Sequence, residues 1–123
     1  NRQSAAAYYN KRFAGNSSIK TPIIASYSTH SFHQYTLCLE GIDRKRLIDE
    51  MAQKGIPMMI YYPIPIHLQT AYKNLSYKQY NLPIAEKLSC TVCSLPMHTE
   101  LDDEQLDYIA TNFLNIISHC KSN

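Results

Sequence analysis

Apolar residues in this chain change period several times, and the changes mark out its elements. Toward the end, Leu106, Ile109, Ala110, Phe113, Leu114 and Ile117 recur at helical spacing, and Asp102 with Gln105 three positions on forms a capping box. A long helix is predicted there. The opening NRQSAAAYYNKRFAG joins three alanines to Tyr8, Tyr9 and Phe13, a good helix former that stops at Gly15 and the polar Asn16-Ser17-Ser18. Leu47, Ile48 and Met51 fall on one side of a further helix, N-capped by Asp43 and ended by Gly55, with Glu50 and Lys54 as an exposed i,i+4 pair.

A period of two replaces the helical one in SFHQYTLCLE. Phe32, Gln34, Thr36 and Cys38 take one face of the predicted strand, and His33, Tyr35, Leu37 and Leu39 the other. MMIYY, residues 58–62, is short, apolar and flanked by prolines, and is predicted to pair with that strand. Thr91-Val92-Cys93 supplies a third strand. Pro83 suits the first turn of a short helix carrying Ile84, Ala85 and Leu88, residues 67–72 make a turn of helix, and residues 73–81 read as a polar, tyrosine-rich surface loop. After Thr21-Pro22 stands a short apolar run, Ile23-Ile24-Ala25. The summed order gives an α+β fold, a small antiparallel sheet of about three strands packed against helices.

Composition narrows the function classes. The 123 residues fit one domain, 45% hydrophobic and 18% charged. No apolar run approaches the roughly 20 residues of a bilayer span, so no membrane partner is expected. A formal charge of +2 with scattered lysines and arginines gives no nucleic-acid footprint, and the ten tyrosines are assigned to packing. Four cysteines include one CxxC, Cys90 to Cys93, without the second pair of a zinc ribbon and closed by Pro96 where a redox motif would open a helix; free thiols of a reducing cytoplasm are expected. His30, His33, His67 and His98 lack a placed carboxylate, and no metal site is assigned. Two sequons, at Asn16 and Asn74, are chance-length patterns. The chain starts at Asn1 without methionine, and the expectation is a piece excised from a longer protein.

Candidate chemistry concentrates in GIPMMIYYPIPIHLQTAY, residues 55–72. Pro57, Pro63 and Pro65 fix their own φ and push the preceding residue toward extended geometry, so Tyr61, Tyr62 and His67 ride on stiff, non-helical backbone. Such a loop can aim His67 to donate hydrogen bonds to an anionic or polyhydroxyl ligand; equally, the three side chains can cap a sheet edge. Lys73 and Lys78 in the following loop add positive charge. With three glycines in all, there is no phosphate-cradling loop, and no GxSxG elbow occurs.

The combination of FHQYTL, YPIPIHLQ and AEKLS followed by SLPMH, with NRQSAAAYYNKRF before them and LDDEQLDYI after, resembles the C-terminal part of the DegT/DnrJ/StrS nucleotide-sugar aminotransferases. The resemblance covers nearly the whole chain. It implies the small domain of the type I aminotransferase fold over residues 1–123, with residues 1–15 part of an interdomain helix and the large pyridoxal-phosphate-binding domain, with its Schiff-base lysine, outside this sequence. It implies amino transfer, commonly from glutamate, to a keto-sugar nucleotide for cell-surface glycan or related sugar synthesis, in a cytoplasmic enzyme that is a homodimer at full length. The segment alone is then expected to be inactive and to hold no cofactor.

Substrate-binding positions carried over by the resemblance are Tyr61, Tyr62, His67 and His33. Relatives often read His-Tyr-Pro where this chain has Tyr61-Tyr62-Pro63, so a phenol stands in place of an imidazole. SLPMH is similar to members acting on 3-keto sugars of the UDP-linked acetamido-glucuronate type. The alternative reading is a binding, dimerisation or regulatory module that kept the fold without catalysis.

Overall fold

The computed structural model describes residues 1–72 and 82–122. Its elements are α1 (Arg2–Phe13), β1 (Ile19–Lys20), β2 (Tyr35–Leu39), α2 (Arg44–Gln53), two 3-10 turns (Ile66–Leu68 and Thr70–Tyr72), α3 (Pro83–Thr91), β3 (Val92–Leu95) and α4 (Asp103–Ile117). The strands form one antiparallel sheet in the order β1-β2-β3, with Tyr35 opposite Leu95 and Leu37 opposite Cys93. The α+β architecture is as the sequence predicts. Residues 73–81, with Lys73 and Lys78, lie outside the described residues.

The core lies between one face of the sheet and helices α1, α2 and α4. Tyr35, Leu37 and Leu39 of β2 turn inward, and Ala5, Ala6, Tyr9 and Phe13 of α1 meet Leu106, Ile109, Ala110 and Phe113 of α4. Rings supply much of the filling: Tyr9 stacks on Phe13 at 5.8 Å, Phe13 tilts against Phe113 at 5.1 Å, and Tyr9 against Tyr35 at 5.0 Å. Buried phenols need partners, and Tyr9 donates to Pro96 O while Tyr35 donates to Asn10 Oδ1. Burial also raises the pKa of both, so they stay protonated. Caps are placed as the sequence indicates: Asp43 accepts from Arg46 N, Asp102 and Gln105 exchange hydrogen bonds, and Gly55 leaves α2 at φ 72°.

Four expectations need correction. The predicted strand starts late, at Tyr35, because Phe32 takes a left-handed φ of 48° that breaks the alternation and buries its ring; His33 therefore lies outside β2, on the exposed approach to it. Glu50 does not pair with Lys54 but holds Arg46 Nε at 2.7 Å and His119 Nε2 at 2.8 Å. The third strand runs from Val92 to Leu95, with Thr91 closing α3.

The fourth correction positions the site. Residues 58–62 do not pair with β2; Met59 alone bridges Ser94 on the free edge of β3, with both backbone hydrogen bonds made, at 3.0 and 2.8 Å. The ladder stops on both sides for chemical reasons. One step away the hydrogen-bonding positions are Pro57 and Pro96, which have no N–H. On the other side Val92 is already used, its N–H bonding Leu88 O and its carbonyl accepting from Arg44 at 2.8 Å. The chain leaves the sheet after Met59 and runs across the surface as a strap.

Candidate functional site

The strap and α3 enclose a cavity of about 800 Å³, walled by Tyr62, Ile64, Pro65 and Ile66 on one side and Ala85, Leu88 and Val92 on the other. That volume falls within the range of ligand pockets, and the walls are mostly apolar with a few polar groups, as such pockets are. The backbone explains the shape. Pro65, in polyproline-like geometry, N-caps the 3-10 turn that carries His67, and Pro83 starts α3 opposite. Several of the apolar side chains that line it are exposed: Tyr62 at 79%, Ile66 at 66% and Ile64 at 53%. A patch of this kind marks a surface that meets a ligand or another protein surface.

His67 is the best-held polar group of the wall. Its side chain is 9% exposed, and Nε2 lies 3.0 Å from Glu86 Oε1 in the first turn of α3. Ser89, also at the cavity, is 8% exposed and donates to Glu86 O at 2.8 Å. Arg44, the first residue of α2, fixes the end of α3 by donating through Nη1 to Ser89 O at 2.7 Å and Val92 O at 2.8 Å. A cation on the last carbonyls of a helix complements their partial negative charge.

Of the four sequence-predicted site residues, the structure brings two together. Tyr62 and His67 line the cavity; Tyr61, half-exposed, is not among its lining residues, and successive positions of extended chain point to opposite sides. His33 is exposed near the entry to β2 and lines none of the cavities found among the described residues. Tyr72, Leu82, Glu86 and Ser89 belong to the wall or support it, and the sequence reading missed them. The spacing of Glu86 and Ser89 within AEKLS was the available signal, since residues three apart share a helix face.

Other clusters do local structural work. His30 Nδ1 accepts from Phe32 N at 2.9 Å, with the ring stacked on Phe32, and so supports the left-handed turn; His98 Nδ1 accepts from Glu100 N. All four cysteines are free. Cys90 is exposed while Cys93 is buried, and burial pushes the Cys93 thiol up to about 12. Glu50, His119 and Cys120 gather metal-type donor atoms, yet both oxygens of Glu50 are engaged, one by the Arg46 guanidinium. The group is a tether: together with the hydrogen bond from Asp43 N to Cys120 O, it ties residues 119–121 to α2. No helix of the described residues is long and apolar enough to cross a membrane.

The model of the DegT/DnrJ/EryC1/StrS aminotransferase family matches residues 1–114. The chain is 38% identical over 101 residues to a pleiotropic regulatory protein of Geobacillus stearothermophilus, a match covering 82% of this chain and 27% of that one. It is 36% identical over 110 residues to the UDP-N-acetyl-3-dehydro-alpha-D-glucosamine 3-aminotransferase of Acidithiobacillus ferrooxidans, covering 89% and 28%. Among solved structures, a DegT DnrJ EryC1 StrS aminotransferase from Brucella abortus superposes with a TM-score of 0.82 at 33% identity, over 94% of this chain and 30% of that one. The chain thus spans less than a third of the length of each of these relatives. Fold, motif order and a family match running from α1 into α4 agree, and this chain belongs to the DegT/DnrJ/EryC1/StrS aminotransferase family.

Proposed function

We propose that this chain is the C-terminal small domain, and the substrate-side wall, of a pyridoxal-phosphate-dependent aminotransferase that moves an amino group from glutamate onto a keto-sugar nucleotide. The observation that carries the reading is the proline-stiffened strap with Tyr62 and a nearly buried His67 facing an apolar cavity, in a chain of this family. Residues 1–15 serve as part of the interdomain helix, the full-length enzyme is a cytoplasmic homodimer, and its products feed surface-glycan or related sugar synthesis. Tyr61 and His33 lie off this cavity and are assigned to ligand contacts completed by the rest of the protein.

Pyridoxal phosphate, when bound, supplies the electron sink for amino transfer. The cavity suits the substrate rather than that group, because no lysine or arginine is among its described lining residues to take the Schiff base or the phosphate. The role of this chain is therefore orientation. Ile64, Ile66 and Leu88 exclude water from the sugar face, and the Tyr62 hydroxyl and the His67 ring offer polar contacts at fixed places. Rigid backbone lowers the entropy lost on ordering these contacts.

The test uses the full-length protein with cofactor, glutamate and a panel of keto-sugar nucleotides, read by mass spectrometry. The expected products are the amino sugar and 2-oxoglutarate in equal amounts, since the nitrogen that leaves glutamate replaces the ketone oxygen. Failure to take up cofactor, with no transfer to any substrate of the panel, would overturn the enzyme reading in favour of a non-catalytic binding or dimerisation module.

A further inference from the structure

The His67–Glu86 pair determines more than the angle of a ring. We propose that Glu86 is a positioning residue that commits His67 Nε2–H to its own carboxylate, so that the ligand at this wall meets Nδ1 and meets it with a hydrogen-bond donor, a sugar hydroxyl or acetamido N–H, not with a phosphate oxygen. This rests on the substrate-wall reading above and adds the polarity of the contact.

The argument starts from proton inventory. An ionised carboxylate only accepts, so the 3.0 Å contact to Glu86 Oε1 places the proton on Nε2. Glu86 sits in the first turn of the nine-residue α3, where the helix dipole favours an anion, and its backbone N–H is fixed on Leu82 O. Among the described residues Glu86 is the only hydrogen-bond partner of the His67 ring. In the neutral ring the second nitrogen then has a lone pair and no proton.

Direction follows from the cavity walls. His67 lines the cavity and Glu86 does not, although its neighbour Ala85 does. With Nε2 held by Glu86 in α3, Nδ1 is the ring nitrogen left to meet a ligand in the cavity that His67 lines. A lone pair there attracts hydroxyl and amide donors and repels phosphate oxygens. The sequence alone suggested a histidine donating to an anionic or polyhydroxyl ligand; with Nε2–H held by Glu86, the ring accepts from the ligand instead. Discrimination of this kind is effective in an apolar pocket, because a mismatched polar group has no water to fall back on.

The experiment uses the full-length protein labelled with 15N-histidine, with the His67 resonance assigned by His67→Gln. The expected spectrum is the Nε2–H tautomer in the wild type, a mixture of tautomers in Glu86→Ala, and the wild-type pattern in Glu86→Gln, whose amide oxygen still accepts. Calorimetry with UDP-N-acetylglucosamine is expected to show binding weakened about three- to tenfold by Glu86→Ala and within about twofold of wild type for Glu86→Gln, the size of one neutral hydrogen bond. UDP alone is expected to bind all three alike. In turnover, the Glu86→Ala loss is expected in KM, with kcat little changed. An Nδ1–H or doubly protonated ring in the wild type, or an equal loss for UDP and the UDP-sugar, would overturn the proposal. Because tautomer and binding are read without turnover, an inactive enzyme with the expected tautomer refutes the aminotransferase reading and not this one; an active enzyme indifferent to Glu86→Ala does the opposite.

Discussion

Arg44 is far from the strap in sequence yet sets the far wall of the cavity, and replacing it with methionine tests how that wall is held. Its Nη1 donates to two carbonyls, Ser89 O at 2.7 Å and Val92 O at 2.8 Å, and both residues line the cavity. Hydrogen bonds to a charged group contribute about 1.5–3 kcal/mol each. Here one nitrogen serves both acceptors and the side chain is only partly buried, so about 2 kcal/mol for the pair is the working figure, below the sum of two. Methionine keeps the stem and its packing, and removes the donor.

The loss is local because Val92 O lies on the β3 edge that Met59 reaches only once. Opening of residues 89–95 becomes easier by that amount, and 2 kcal/mol corresponds to about a thirtyfold rise in opening. The assay is hydrogen exchange by mass spectrometry on the full-length protein, under conditions where reclosing is fast. Exchange in residues 89–95 is expected to quicken about thirtyfold in Arg44→Met while α4 is unchanged. Arg44→Lys should fall between, since its ammonium keeps a charged donor on a stem one bond shorter than the reach of Nη1. Exchange that is unchanged, or that rises equally in α4, would refute the idea of a local clamp.

Two further outcomes follow from the chemistry of buried and paired groups. Alkylation of the native protein is expected to label Cys90 first and to spare Cys93, whose thiol burial pushes up to about 12; peptide mapping checks this, and equal labelling of the two would contradict the burial of β3. Glu50 is held below the usual carboxylate range, first by its hydrogen bond with His119 and then by Arg46. A depressed folded pKa contributes stability that is fully present above the unfolded value and is lost as pH falls through the folded one. Exchange at the Asp43 amide, which bonds Cys120 O, should therefore rise below the ordinary carboxylate range, and Glu50→Gln should remove that acid limb; a wild-type profile flat through that range would sink the tether.

The helices were legible in the sequence because each is a local object with its own signals. Asp102 and Gln105 cap α4, Asp43 caps α2 and Gly55 ends it, and the apolar spacing of Leu106 to Ile117 gives the face that packs. Strand partners were not legible, since pairing depends on which backbone groups elsewhere remain free. Residues 58–62 looked able to pair with β2, but the free edge belonged to β3, and Pro57, Pro96 and the prior use of Val92 limited the pairing to one residue. Phe32 misled in another way, because alternation presumes extended backbone and a left-handed residue reverses the side on which its ring lies.

The site was half legible for the same reason. Prolines around Tyr62 and His67 announced a stiff segment, and both residues reach the cavity. Nothing in the local pattern distinguished Tyr61 from Tyr62; the sheet edge they leave behind does. Glu86 was invisible as a partner because it stands nineteen residues from His67 and the contact exists only after α3 folds back on the strap.

The most direct measurement is the site of capture of a photoreactive nucleotide-sugar analogue by the full-length protein. Peptide mapping after irradiation is expected to place the adduct on residues 62–72 or 85–92, and excess unlabelled nucleotide-sugar should abolish it. An adduct that unlabelled nucleotide-sugar displaces, yet that avoids both segments, would contradict the assignment of this chain as the substrate-side wall.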